Sequence, residues 1–199
     1  YLNRARLDPE AEAARYGIDL NAGLPPDTLD GTSRQPLAPN PLLHAAAEGH
    51  STWMLQANVF SHTGQGGSSS RDRMVDAGYV FVGASRSGEN IAWAGTTGRI
   101  DLDETISRHH EGLFKSSGHR ENILEGAFRE IGVAQERGDF VQDGTRYDAS
   151  FLTENFALSG DGLFLTGVTY DDIDGDNFYS IGEGVSGVEV RIGAATTSD

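Results

Sequence analysis

The chain has 199 residues, enough for one well-buried core or a core domain with a small appendage. Its 30 acidic against 15 basic residues give a formal net charge of −15, which argues against nucleic acid and against anionic membrane surfaces as partners. Cysteine is absent, which removes any disulfide framework or thiolate metal site.

Along the chain, "YLNRARLDPEAEAARYG" reads as helix, with Asp8-Pro9 as a restart and Gly17 as a stop. Its opening, without a methionine, reads as the edge of a piece of a longer protein, so further domains of the parent chain are expected. Residues 18–40 hold four of the six prolines and read as a long surface loop. "PLLHAAAEGHSTWMLQANVF" reads as a helix capped by Asn40, with Leu43, Ala47, His50 and Met54 on an inward face. "SHTGQGGSSSRDR" is rich in glycine and serine and reads as loop. "GYVFVG" and "ENIAWA" look like short strands or the approaches to them.

"DLDETISRHHEGLFKS" is helical, with acids in the first turn where the helix dipole favours them, and "HRENIL" makes another helical turn. His44 and His109 are expected to be exposed, and Trp53 and Trp93 to be packing residues. "EIGVAQER" and "YDASFLTENFAL" alternate as paired strands do, with "GDFVQDGT" as the turn. Composition changes after Leu158: "SGDG" reads as a linker, and "LFLTGVTY" and "GVEVRIG" as strands flanking an acidic loop. No apolar run approaches a membrane span.

Three chemistry-bearing residues stand among small neighbours: His62 in "FSHTG", Glu89 in "SGEN" and His119 in "SSGHRENIL". Imidazole and carboxylate together suit a divalent transition ion, zinc first among common metals. The same groups also suit a metal-free hydrogen-bond cluster or a general acid–base pair.

The ordered set "LNRAR", "AAAEGHSTWM", "FSHTG", "GENIA", "GHRENIL" with "REIGVA", and "TENFA" resembles the CAP superfamily, the cysteine-rich secretory, antigen 5 and pathogenesis-related 1 proteins, in its disulfide-free bacterial branch. The resemblance covers roughly residues 1 to 158 and implies an α+β fold, a three-layer α-β-α sandwich; composition adds a short β-rich segment over 159–199. It implies a secreted or cell-surface protein with a cleft lined by two histidines and two glutamates. His62, Glu89 and His119 match three of those four positions. The fourth departs from the family pattern: its glutamate falls near Ser116, beyond Leu113 where the family carries tryptophan. His110 is the nearest substitute, ahead of Glu111, because it shares a helical stripe with Leu113.

"DIDGDNFYSIGE" follows the ligand schedule of a calcium loop. Asp172, Asp174 and Asp176 occupy positions 1, 3 and 5, the Phe178 carbonyl 7, Ser180 9 and Glu183 12. Its strand-like flanks resemble the start of the calcium-binding B-type repeats of bacterial surface adhesins.

Three functions are compatible with these features. One is a secreted, non-enzymatic CAP module binding divalent cations and a small-molecule or lipid ligand, with a calcium-stabilised C-terminal segment. Another is a metal-dependent hydrolase or protease using the His/Glu cleft, although neither GxSxG nor HExxH occurs. The third is a structural adhesion module.

Overall fold

A computed structural model describes residues 1–175, 179 and 182–189. The chain forms two compact units, residues 1–164 and 165–199.

In the first unit, α1 (Leu2–Leu7) and α2 (Pro9–Arg15) are separated at Asp8, whose side chain accepts from Ala11 N as the cap of α2. Gly17 follows with φ 65, a value that leaves the helix. The proline-rich segment is anchored, not loose. Leu20, Leu29 and Leu37 are buried, and β1 (Ala38–Pro39) pairs in parallel with a later strand. Asn40 then caps α3 (Pro41–Ala57), accepting from Leu42 N and Leu43 N, and Leu43, Ala47, His50 and Met54 are all buried as the spacing predicts.

The glycine- and serine-rich stretch departs from expectation by containing α4 (Ser70–Asp76). Ser69 and Asp72 form a reciprocal capping box that satisfies two backbone donors and starts the helix. "GYVFVG" is the approach to a strand and not a strand itself. Tyr79 N closes the end of α4 on Met74 O and Val82 N bonds the Ser159 hydroxyl, so these donors are spent before a ladder can form. β2 (Ser85–Thr96) begins only afterwards and contains "ENIAWA".

α5 (Leu102–Lys115) and α6 (Ser117–Leu124) precede β3 (Glu130–Gln142) and β4 (Thr145–Ser159). The β3–β4 turn shrinks to Asp143-Gly144, both at positive φ (51 and 77), the two-residue hairpin geometry that Asp-Gly favours.

The sheet order is β1-β3-β4-β2, antiparallel except for β1 with β3. Alternation along β4 divides the core. Leu152 and Phe156 pack with Leu113, Phe114, Ile123 and Leu124 of α5 and α6, together with Ala5 and Ala13 of α1 and α2. On the opposite face Ala157 packs with Leu43 and Met74 of α3 and α4, and Phe151 with Met54. A four-stranded sheet between two helical layers is the α+β, α-β-α sandwich expected from the sequence.

Two buried arginines fasten the helical layer of α1, α2, α5 and α6. Arg6, fully buried, donates to the carbonyls of Gln35, Ile123, Glu125 and Phe128. Arg120 donates to the carbonyls of Phe114, Lys115 and Ala22.

In the second unit, an isolated bridge joins Tyr170 and Gly184. "LFLTGVTY" forms no strand beyond that contact. Asp171 N donates to Glu183 O and Val185 N to Thr169 O, on either side of that bridge.

Candidate functional site

β2 is a sheet edge, and Glu89 lies near its start on the face shared with α3 and α4. The Glu89 side chain is 3% exposed. His62 reaches it from the loop after α3, Nδ1 donating to Glu89 Oε1 at 2.8 Å, while most of the His62 ring stays open to solvent. A carboxylate only accepts, so this contact puts a proton on His62 Nδ1 and leaves Nε2 as the ring's other nitrogen.

The loop bearing His62 is itself braced. His50 Nε2 donates to the Ser61 carbonyl at 2.9 Å, and Thr63 N donates to Ser61 Oγ at 3.0 Å. Burial holds the His50 imidazole below its ordinary pKa, in keeping with a neutral ring.

The second Glu89 oxygen is taken by a residue that motif reading missed. Arg73 of α4 donates Nη2 to Glu89 Oε2 at 2.5 Å and Nη1 to Ser68 O at 2.9 Å. A Cβ on Gly64 would stand 2.7 Å from Arg73 Nη1, so glycine there makes room for the guanidinium. The signal that could have found Arg73 is Ser69 three residues before Asp72, a helix-start pattern inside a stretch read as loop.

His119, on α6, comes to the same end of β2 from the other helical layer. Its carbonyl accepts from Asn90 Nδ2 at 3.3 Å, and its Nδ1 lies 2.8 Å from Ser116 Oγ. Ser116 stands where the resemblance places the second glutamate, and its hydroxyl engages the histidine there. Burial first, and the neighbouring His62 second, hold His119 below its ordinary pKa. Beneath the site, Asn122 Nδ2 donates to Glu89 O at 3.3 Å and to Asn90 Oδ1 at 2.9 Å, and Asn90 Nδ2 donates to Glu154 Oε2 at 3.0 Å. The asparagines of "GEN" and "REN" and the glutamate of "TEN" thus form one buried network tying β2, β4 and α6.

His110 is not part of this group. It is buried against α2, with Nε2 2.9 Å from Glu12 Oε1 and its ring stacked on Tyr1 at 5.5 Å. It does share the inward stripe of α5 with Leu113, but its imidazole is spent on Glu12 of α2 and on Tyr1 and not on His62, Glu89 or His119. Glu111 pairs with Lys115 along the outside of α5. His109, expected at the surface, is 3% exposed, with Nε2 2.9 Å from Ser150 Oγ. Burial drops its pKa to about 4. His44 is exposed, with Nδ1 2.6 Å from Val133 O.

The donor set decides what metal chemistry the β2 edge offers. Among the described residues, Asp172, Asp174 and Glu183 are the trio whose ligand atoms lie within 4.8 Å of one another; His62, Glu89 and His119 do not form such a trio. Glu89 has both oxygens committed, to His62 and Arg73, and acts on His62 as an orienting carboxylate. The two imidazoles remain as nitrogen donors.

In the acidic loop, Glu183 is buried and its Oε1 accepts from Ile173 N and Asp174 N, while Asp172 Oδ1 accepts from Gly175 N. The expected ligands Asp176, Phe178 and Ser180 lie outside the described residues.

Residues 1–155 match the CAP family, the cysteine-rich secretory protein family, and the chain belongs to it. A stretch of 97 residues, 49% of the chain, is 31% identical to the uncharacterized membrane protein YlbC of Bacillus subtilis (strain 168). The chain spans 25% of the length of that relative.

Among solved structures, an extracellular protein containing an SCP domain from Bacillus anthracis is 28% identical, with a TM-score of 0.45 over 62% of this chain and 34% of that one. An outer surface protein of Borrelia burgdorferi is 14% identical, with a TM-score of 0.42 over 62% of this chain and 78% of that one. A cysteine-rich secretory protein of Staphylococcus aureus is 16% identical, with a TM-score of 0.34 over 74% and 38%. No helix among the described residues is long and apolar enough to cross a membrane.

Proposed function

We propose that residues 1–158 act as a secreted or cell-surface CAP module, non-enzymatic, whose β2 edge holds a divalent cation such as zinc and a small ligand. The observation that carries this reading is the treatment of the two histidines. His62 has Nδ1 fixed by Glu89, and His119 has Nδ1 fixed by Ser116 when the hydroxyl accepts. That tautomer presents Nε2 of each ring, the arrangement in which an outer carboxylate or hydroxyl orients a metal-binding imidazole. Zinc bound there would supply Lewis acidity, with water completing its coordination. The non-enzymatic reading draws on Glu89: its side chain is 3% exposed and each oxygen is tied to a protein partner, His62 or Arg73, which makes it an orienting group more than a base open to water.

Purified protein incubated with zinc and desalted is expected to retain it, and the His62→Ala, His119→Ala double variant to lose it, by elemental analysis. Equal retention by both proteins would remove the β2 edge as the site. Peptide turnover by the wild type that vanishes in the double variant would replace this reading with the hydrolase.

Residues 159–199 are proposed as the start of a calcium-binding, adhesin-type repeat that joins the module to further domains. The convergence of Asp172, Asp174 and Glu183 supports it, since carboxylate oxygens are the hard donors that calcium takes. Saturating calcium is expected to stabilise this unit by about 2–3 kcal/mol at a hundredfold excess over Kd. Calorimetry of the wild type against Asp174→Ala, Glu183→Ala checks this; a calcium-induced rise in Tm that survives both substitutions would place the ion elsewhere.

A further inference from the structure

A cation held by His62 and His119 would meet two uncharged imidazoles, because a metal-binding ring has given up the proton on the ligating nitrogen. Where the CAP pattern has its second glutamate, this chain has Ser116, whose uncharged hydroxyl lies 2.8 Å from His119 Nδ1. The remaining carboxylate is Glu89, and its charge is already matched. Arg73 donates Nη2 to Glu89 Oε2 at 2.5 Å, and the two side chains are 11% and 3% exposed.

That match is built into the fold. The capping box of Ser69 and Asp72 starts α4, the Ser68 carbonyl takes Arg73 Nη1 at 2.9 Å, and Gly64 leaves room for the same nitrogen. Separating a buried ion pair is costly, since each charge would then lie unmatched. Among the described residues no other carboxylate hydrogen-bonds or ion-pairs with His62, His119, Ser116 or Arg73. Glu125 is paired with Arg86. Glu154 reaches the His119 carbonyl only through Asn90, and burial keeps its carboxyl protonated up to about pH 7.

We infer that the small ligand of the β2 edge is an oxyanion, a carboxylate or a phosphate, an inference that rests on the cation site proposed above. Two imidazoles, a hydroxyl and an ion pair sum to no net charge, so a divalent cation among them keeps both of its positive charges. Charges drawn out of bulk water are stable when matched, and an anionic ligand supplies the charge that Ser116 and Arg73 withhold. A neutral amide or alcohol would bring a donor atom without that charge, and an apolar ligand would bring neither. His62, with 57% of its side chain exposed, leaves such a ligand a way in from solvent. Ser116 and Arg73 are thus the residues that set the preference for an anion.

The test uses the whole 199-residue chain loaded with cobalt(II), which imidazole sites accept and whose visible spectrum reports the groups bound to it. Sodium acetate and sodium phosphate are titrated against acetamide, the uncharged counterpart of acetate. At least one of the two anions is expected to change the spectrum at millimolar concentration or below, and acetamide to act about tenfold more weakly or not at all. Ser116→Glu, which puts a carboxylate beside His119, is expected to hold cobalt more tightly and to bind the anion about tenfold more weakly. Arg73→Met, which uncovers the Glu89 charge, should weaken anion binding in the same direction. Removal of the metal with EDTA should abolish it. Cobalt retained with no response to either anion overturns the inference and leaves the metal site standing. So do acetamide binding as tightly as acetate, Ser116→Glu binding the anion as the wild type does, and anion binding that persists in EDTA. A wild type that holds no cobalt overturns the metal site itself, and the inference with it.

Discussion

Replacing Gly132 by alanine is expected to destabilise the first unit by about 3 kcal/mol or more, the upper end of what overpacking costs. Gly132 sits on β3, facing α3. A Cβ built there would stand 2.0 Å from the Leu43 carbonyl carbon and 2.1 Å from His44 N, and these are backbone atoms that cannot swing aside as a side chain would. The first turn of α3 is also fastened where the clash falls. Asn40 caps the helix and donates Nδ2 to Glu130 at 2.7 Å, and Asn155, the cross-strand neighbour of Gly132, donates to Leu43 O at 3.3 Å. Accommodating one methyl group therefore means lifting the helix from the sheet. His50 rides on the same helix and braces the His62 loop, so the lift also loosens the histidine pair.

A fall in Tm of roughly 10 °C is expected for a unit of this size, by calorimetry at neutral pH. Gly126→Ala is the control: its added Cβ would find only ordinary contact with Arg34, at 3.6 Å, and its Tm should stay near that of the wild type. A Gly132→Ala protein melting within a degree or two of the wild type would show that α3 moves freely over the sheet.

The layered fold was readable because its long elements carry strong periodic signals. The α3 face of Leu43, Ala47, His50 and Met54, and the alternation of β3 and β4, each determine one structure. Short elements were not readable. β1 has two residues and exists only because β3 offers it a partner, a tertiary fact with no local trace. "GYVFVG" has strand composition but sits between a helix end and a serine hydroxyl that consume its donors.

At the site, the motif residues His62, Glu89 and His119 could be singled out by sequence, but their roles could not. That Glu89 orients His62 rests on Arg73 occupying its other oxygen, and Arg73 lies in a stretch whose glycines and serines mask a short helix. For His110, helical spacing identified the buried face correctly but could not say which neighbour that face meets. His109 shows the same limit: a buried serine on β4 receives it, and nothing local in α5 announces that partner.

Glu154 is expected to make the protein lose stability as pH rises from about 4.5 to 7, the reverse of most carboxylates. Its side chain is buried in β4, and burial, outweighing the hydrogen bond from Asn90, pushes its pKa up to about 7. Unfolded, the same group ionises near pH 4.5. Between those values the folded chain holds a proton that the unfolded chain has released, so raising the pH favours unfolding. The penalty starts near pH 4.5, grows through the interval and levels off above 7 at about 3 kcal/mol.

Glu12 runs the other way. Burial alone would raise it, but the hydrogen bonds from His110 and Arg4 outweigh burial and bring it to about 2. Its contribution is complete above pH 4.5 and is lost as the pH falls toward 2. Glu154→Gln separates the two effects, because the amide oxygen still accepts from Asn90 and no charge can form. Urea unfolding should find this variant equal to the wild type at pH 4 and about 3 kcal/mol more stable at pH 8. A difference of the same size at both values would mean that the gain has another source and that the fold does not raise the Glu154 pKa. A leucine at 154 offers the sharper comparison: it also removes the charge but leaves Asn90 without its acceptor. Asn90 is what holds the His119 carbonyl and Asn122, so stability gained through leucine should come with loss of the zinc proposed at the histidine pair, whereas stability gained through glutamine should not.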